Sequence, residues 1–459
     1  MQYKELSQCQ PAFEQFCERY ECLFRHGQQR PHFCSYLLGL LSSLERKSIE
    51  PIALEQEIDV RTLQHFIGAS PWDDRLVLVE HRRHVRETLG SSNGIFILDP
   101  TAFPKRGEHS VGVARQWCGQ LGKEENCQVA VNLTYACERG HTFLDRRLYL
   151  PDSWASDWQR RQACGVPDDV VFRTSWQLAY EMIQTTRSEG LPHAWITGDE
   201  EFGKVPLLHD WLNQDKERYI FEVPLKTRVW VTLPQRHRRG PKGLLARLRQ
   251  ISPGRPRLMR SDAIVQALPG RVWTTVEVRQ GSKGPIRVSA LAIRVRFYRG
   301  LKKARPEGWL LITDTLDQRR QRKVFQSNAG PDCSLASLLS AAYARWPIEQ
   351  DHGQGKNETG LGDYETRTWL GWHHHTALSF LAHHFLVIQR NRLGEKKSGD
   401  DRRGDKTGDC GGLPVVRKAA GPSRGRDAIP TAPESRGSCR PLEASSGARR
   451  TVQSAPAYR

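Results

Sequence analysis

An α/β sheet domain with an inserted antiparallel β unit, preceded by a helical N-terminal domain, is the fold class this sequence predicts. Three observations carry it. Apolar residues keep helical spacing over residues 1–90. From about 94, short apolar runs alternate with helical segments. From about 225 to 335, β-type runs follow one another. Periods of 3.6 and 2 separate helix from strand, and their order sets the fold class.

In the first region Phe13, Phe16, Cys17, Tyr20 and Leu23 share one helix face, and "FCSYLLGLLSSLERKS" follows as a second helix. "PIALEQEIDVRTLQHFIG" reads as two short helices with a turn near Ile58-Asp59. That pattern fits a helix-turn-helix presenting Arg61, Thr62, Gln64 and His65 to DNA, and it equally fits an ordinary helical hairpin. The sheet begins with "GIFILD" (94–99), "CQVAVNLTYA" (127–136) and "TFLDRRLYL" (142–150). A helix over "TSWQLAYEMIQTTRSEG", the strand "HAWITGD", the helix "VPLLHDWLNQ" and the strand "RYIFEVPL" complete a β-β-β-α-β-α-β order. "RVWTTVEVRQ", "IRVSALAIRVRFY" and "GWLLITDT" then read as the inserted antiparallel strands. Helices return with "LASLLSAAYARWPIEQ" and "HHHTALSFLAHHFLVIQRNRL". Residues 394–459 hold ten Gly, six Pro and one aromatic, so this tail is expected to be disordered.

Composition narrows the partners. Formal net charge is +18, which points to a polyanion, nucleic acid first. Nine Arg or Lys and no acid between Arg236 and Arg260 suggest either a phosphate-binding surface or a solvated loop. The 11 Cys form no C-x-x-C pair, which argues against a zinc ribbon or a thioredoxin-like site. Neither a secretory leader nor an apolar run of membrane-spanning length is evident, so a soluble protein of the cytoplasm, not a membrane protein, is expected. The consecutive His373, His374 and His375 point in different directions on a helix and do not suggest a zinc site.

The chemistry centres on acids. Two apolar strands are expected to end in aspartate, at Asp99 and Asp199, and neighbouring strands would bring the two carboxylates together. Glu349 offers a third, with Glu358 as its rival. Arg345, Glu349 and Lys356 are spaced four and seven apart, which puts them on one helix face, although Pro347, Gly353 and Gly355 weaken that helix. Carboxylates so gathered hold divalent cations, and two ions can stabilise both oxygens of an in-line phosphoryl displacement.

Three blocks, "LDPTAFPKRGEHSVGVARQWCGQLGKEENCQVAVNL", "WITGDEEFG" and "RWPIEQDHGQGKNETGLGDYETRTWLGWHHH", resemble the DDE transposases of bacterial insertion sequences. The likeness is to the branch with a β insertion before its glutamate and a Tyr-Arg-Glu-Lys signature, and it covers about 10 to 393. It implies an RNase H-like catalytic domain, split as 91–224 and 336–393 around an insertion at 225–335, behind a DNA-binding domain at 1–90. It implies Asp99, Asp199 and Glu349 as catalytic and metal-binding residues. Arg345 and Lys356 would grip phosphate, and Tyr343 lies one residue closer to Arg345 than the signature expects. Lys105 and Arg106 would touch DNA, and Trp230, Trp273 and Trp309 either stack on an unpaired base or fill the core.

The implied activity is metal-dependent cleavage and strand transfer with Mg²⁺ or Mn²⁺, two ions, in a bacterial cytoplasm beside the nucleoid. The partners implied are double-stranded DNA, both terminal inverted repeats and target, and a second copy of the chain. A decayed transposase that only binds its ends, or an RNase H-fold nuclease without strand transfer, are the other readings. The tail departs from the family after "RLGEK", as a frameshift just after Lys396 would produce.

Overall fold

A computed structural model describes residues 10–232, 256–268, 272–281, 284–298, 307–316, 321–345 and 358–400, with a few shorter pieces. The chain is mixed α/β around one large sheet. Among the described residues five helices come first: α1 (Gln10–Glu21), α2 (Gln29–Leu41), α3 (Ile49–Glu55), α4 (Val60–Gly68) and α5 (Asp74–Leu89). Two of them, α4 and α5, start on a side-chain cap. Asp59 accepts from the Thr62 backbone N–H and Asp73 from that of Arg75. Each such cap satisfies a donor the helix leaves orphaned.

Next come strands β1 (Ile95–Pro104), β2 (Ala114–Cys118), β3 (Lys123–Cys137) and β4 (Gly140–Tyr149). Helix α6 (Ser175–Ser188), strand β5 (Trp195–Gly198), the short α7 (Glu200–Gly203), α8 (Pro206–Gln214) and strand β6 (Tyr219–Val223) follow. Thr174 and Gln177 form a capping box at the start of α6. Antiparallel strands β7 (Arg228–Val231), β8 (Arg257–Arg260), β9 (Thr274–Gly281), β10 (Gly284–Phe297), β11 (Glu307–Thr315) and β12 (Arg322–Ser327) come after, then α9 (Leu335–Tyr343) and α10 (Trp369–Asp400).

The sheet runs β8-β7-β10-β11-β12-β6-β5-β1-β3-β2, with β9 on β10 and β4 on β3. Its centre is parallel, since β1 and β6 both run with β5. The antiparallel strands of the 225–335 region join this same sheet, because β12 pairs with β6. Alternation along each strand sends residues to two faces. Phe96, Leu98, Val131 and Leu133 pack against Leu178, Met182 and Ile183 of α6 and Leu208 and Leu212 of α8. Ile95, Ile97, Trp195 and Ile220 pack on the other face, against Leu338 and Leu339 of α9.

The N-terminal helices share one core with α10. Phe16, Tyr20, Phe33 and Tyr36 lie in the same cluster as Trp372, Phe380 and Phe385, together with Phe143 and Leu148 of β4. The consecutive histidines are structural there. His374 sets Nδ1 and Nε2 each 2.9 Å from a carbonyl, of Ile67 and Trp72, only one of which a neutral ring can donate to, and stacks on the Trp72 ring at 3.6 Å. His375 bonds Tyr36 Oη and the Gly360 carbonyl.

Two strand expectations needed correction. β1 does not stop at Asp99 but continues to Pro104, because β3 pairs with it all the way from Ile95 to Pro104. What ends near Asp99 is the pairing with β5. β2 was not anticipated: "ARQWC" is short and half exposed, so it carries little apolar pattern. Apart from the end of α10 and Arg417–Lys418, the tail lies outside the described residues. No helix among the described residues is long and apolar enough to cross a membrane.

Candidate active site

β1 and β5 are parallel neighbours whose register pairs Ile95 with Trp195 and Leu98 with Gly198. The next residue of each strand is an aspartate. Asp99 and Asp199 therefore stand at one level on adjacent strands, which in a sheet run about 4.8 Å apart. Ile95 and Ile97 face α9, so Asp99, two residues on, faces it too.

Helix α9 ends at Tyr343, and Arg345 directly beyond it reaches both acids. Its Nη1 lies 3.7 Å from Asp99 Oδ1 and 3.8 Å from Asp199 Oδ2. The contacts are longer than hydrogen bonds, so the guanidinium acts here as a charge. Both carboxylates remain partly open, at 17% and 26% side-chain exposure. Burial pushes the Asp199 carboxyl above its ordinary value, Arg345 opposes that, and Glu222 adds to the rise. A carboxyl so placed favours a cation beside it.

Asp199 also organises the turn. It caps α7, its Oδ1 accepting from the Glu201 N–H at 2.9 Å. That leaves Oδ2 toward Arg345. Glu200 and Glu201 form the first turn of α7. Burial pushes Glu201 up, opposed by a bond to Ser175 of α6, so this acid is engaged with a helix on the other side of the sheet. The turn needs its glycine. A Cβ on Gly203 would stand 1.7 Å from the Glu222 carbonyl oxygen, closer than any side chain permits.

Tyr343 is the last residue of α9, two positions before Arg345. Its hydroxyl pairs with Thr313 Oγ1 at 2.9 Å. Burial pushes it up to about 12, the Thr313 bond opposes, and Glu222 and Asp314 raise it further. Glu349 and Lys356 lie outside the described residues. Glu358, the rival acid, is ion-paired with Arg390 of α10, and its carbonyl accepts from Lys47 Nζ at 2.6 Å.

Lys105 and Arg106 differ. Arg106 is exposed. Lys105 is turned inward: Nζ donates to the Tyr364 carbonyl at 3.1 Å and sits 3.5 Å from the centre of that ring. Burial lowers its pKa to about 8. Of the tryptophans, Trp230 is 39% exposed, whereas Trp309 donates to the Gly330 carbonyl at 2.8 Å and packs against the α9 side of the core. Arg61, Thr62, Gln64 and His65 all lie exposed on α4.

One pair was not anticipated from the sequence. Glu222 of β6 holds Lys323 of β12, Nζ to Oε2 at 3.0 Å. The available signal was an acid inside the apolar run "YIFEV".

The family profile for DDE superfamily endonucleases matches residues 19–285, more than half of the chain. A curated relative, the probable transposase for insertion sequence element IS701 of Microchaete diplosiphon, is 29% identical over 193 residues. That match covers 42% of this chain, and the chain spans about half, 48%, of the relative's length. Among solved structures, the piggyBac transposase synaptic complex with hairpin DNA aligns over 82% of this chain and 68% of that one, at 10% identity and TM-score 0.35. The NurA nuclease from Sulfolobus solfataricus aligns over 72% and 95%, at 11% identity and TM-score 0.23. Neither structural alignment is close enough to assign a fold.

Proposed function

Because the chain belongs to the DDE superfamily endonucleases, we propose that it is a transposase, cutting DNA at the ends of an insertion sequence and joining the freed 3′-hydroxyl to target DNA. The observation that carries the reading is the register that sets Asp99 and Asp199 side by side under Arg345.

The donor set fits a divalent cation. Both groups are carboxylates, the ligands that Mg²⁺ and Mn²⁺ prefer, and a guanidinium already attends both. Two such ions, completed by Glu349, would polarise the scissile phosphate and lower the pKa of the attacking water. The chain's own residues do the rest. Asp99 and Asp199 fix the charge centre, one from mid-strand and one from a capped turn, so neither swings freely. Arg345, placed between them, can turn from the carboxylates to the phosphate, as can Lys356, which gives charge-assisted contacts to its non-bridging oxygens. Burial on the α9 face strengthens each of these interactions relative to bulk water.

In this reading the sheet is an RNase H-like core. The helices of 1–90 bind the terminal repeats, with α4 offering Arg61, Thr62, Gln64 and His65 to a groove. Two copies act on paired ends, in the bacterial cytoplasm. The charge of +18 supports a DNA partner.

The test is cleavage, in Mg²⁺ or Mn²⁺, of a duplex carrying the sequences that flank the gene. Wild type should nick it, and Asp99→Ala and Asp199→Ala should each lose about a hundredfold or more. Cutting by Asp199→Ala at the wild-type rate would remove the site assignment. Binding without any cutting by wild type would favour the decayed, DNA-binding reading, which the atypical tail also suggests.

A further inference from the structure

We propose that Lys323 is a DNA-phosphate-binding residue of this same site and that Glu222 is the positioning residue that holds it there. The proposal rests on the endonuclease reading of the site. It starts from register. Leu98 pairs with Gly198, and Gly198 with Phe221. The residues that follow are Asp99, Asp199 and Glu222, so three acids stand in one row across three adjacent parallel strands. Ile220 packs toward α9, and Glu222, two residues on, faces the same side.

Three carboxylates in a row repel an approaching phosphodiester unless cations offset them. Among the described residues two cations meet them, one toward each end. Arg345 lies on Asp99 and Asp199. Lys323 lies on Glu222 at 3.0 Å. The Lys323 side chain is 35% exposed and that of Glu222 20%, so the ammonium is held but still reachable. Lys323 pairs across the strands with Thr313, whose hydroxyl meets Tyr343. The lysine thus stands in the same patch as the residue two positions before Arg345.

The Glu222 carboxylate is already engaged, by Lys323 at 3.0 Å. Stability does not account for the pair, since a part-exposed ion pair contributes little, about 0–1 kcal/mol. An acid within the otherwise buried strand Tyr219–Val223 is better accounted for by the lysine it presents.

The test uses the full-length chain and the same end-bearing duplex. Affinity is measured against salt with Ca²⁺ in place of Mg²⁺, and cleavage is measured with Mg²⁺. Lys323→Gln should reduce the slope of log K against log salt by about 0.9, the loss of one phosphate contact. Its cleavage at saturating DNA should fall about tenfold or more. Lys323→Arg should restore both, which a merely structural role would not. Glu222→Gln should lower the cleavage rate with little change in KM, and adding it to Lys323→Gln should cost nothing further. An unchanged slope and rate in Lys323→Gln, or failure of Lys323→Arg to restore them, overturns the proposal. A wild type that binds but never cuts overturns the endonuclease reading instead, and the slope comparison still decides Lys323.

Discussion

Arg345 is the residue on which the candidate site turns. Its charge offsets the repulsion between Asp99 and Asp199 at one level of the sheet. A divalent cation between the same carboxylates would compete with it. Arg345→Gln should therefore bring the midpoint of Mg²⁺-induced thermal stabilisation to lower concentration, by several-fold, while lowering cleavage. Melting temperature followed across a Mg²⁺ titration checks this, and a midpoint that moves upward would show that Arg345 helps rather than competes. At this scale the sequence was informative about identity and silent about state. Asp99, Asp199 and Arg345 were legible from strand endings, helical spacing and the family blocks. That Arg345 faces both acids was not, because the three residues come from separate parts of the chain.

The element that shapes the site is the turn from β5 into α7. Asp199 caps it, Gly198 leaves room for Phe202, Phe221 and Leu98, and Gly203 lets α7 lie against the backbone of β6. Gly203→Ala would drive a methyl into the Glu222 carbonyl, so the strand carrying Glu222 must shift. A destabilisation of about 1–3 kcal/mol is expected, the usual cost of overpacking, with loss of cleavage; denaturant unfolding and the nicking assay read the two effects. If stability were unchanged, the close approach of α7 to β6 would be wrong. Strand lengths were read less well than strand positions. β1 looked finished at Asp99 because its apolar run ends there in an acid, yet pairing with β3 carries it on to Pro104.

Across the whole molecule the recurring feature is buried neutral histidine. His81 and His373 are lowered to about 3 and His84, His374 and His375 to about 4, in each case first by burial. Their unfolded value is near 6.5. Between 6.5 and these folded values the unfolded chain binds more protons, so stability falls as pH falls through that window, by about 1.4 kcal/mol per pH unit for each such histidine. Urea midpoints at pH 7.5, 6 and 5 should decline steeply below 6.5, and a flat profile would mean that these rings are not held neutral. Of these rings, His374 and His375 tie α10 to Ile67, Trp72 and Tyr36 of the N-terminal region, and His81 ties α5 to the Phe143 carbonyl of β4.

Local patterns were enough for element types and for the two aspartates, because hydrophobic period, caps and turn residues act over a few positions. They also allowed the expectation that the strands of Asp99 and Asp199 are neighbours, which the pairing of β1 with β5 bears out, but not the register or the place of β6. Pairing of β5 with both β1 and β6 depends on contacts between residues far apart in the chain, and it is this pairing that lines up Asp99, Asp199 and Glu222. In "HAWITGDEEFG" the strand ending singled out Asp199 among three adjacent acids. Register and capping then decided the surroundings: Asp199 on the α9 face, Glu201 toward Ser175, and Glu222 of β6 in the same row as Asp99 and Asp199.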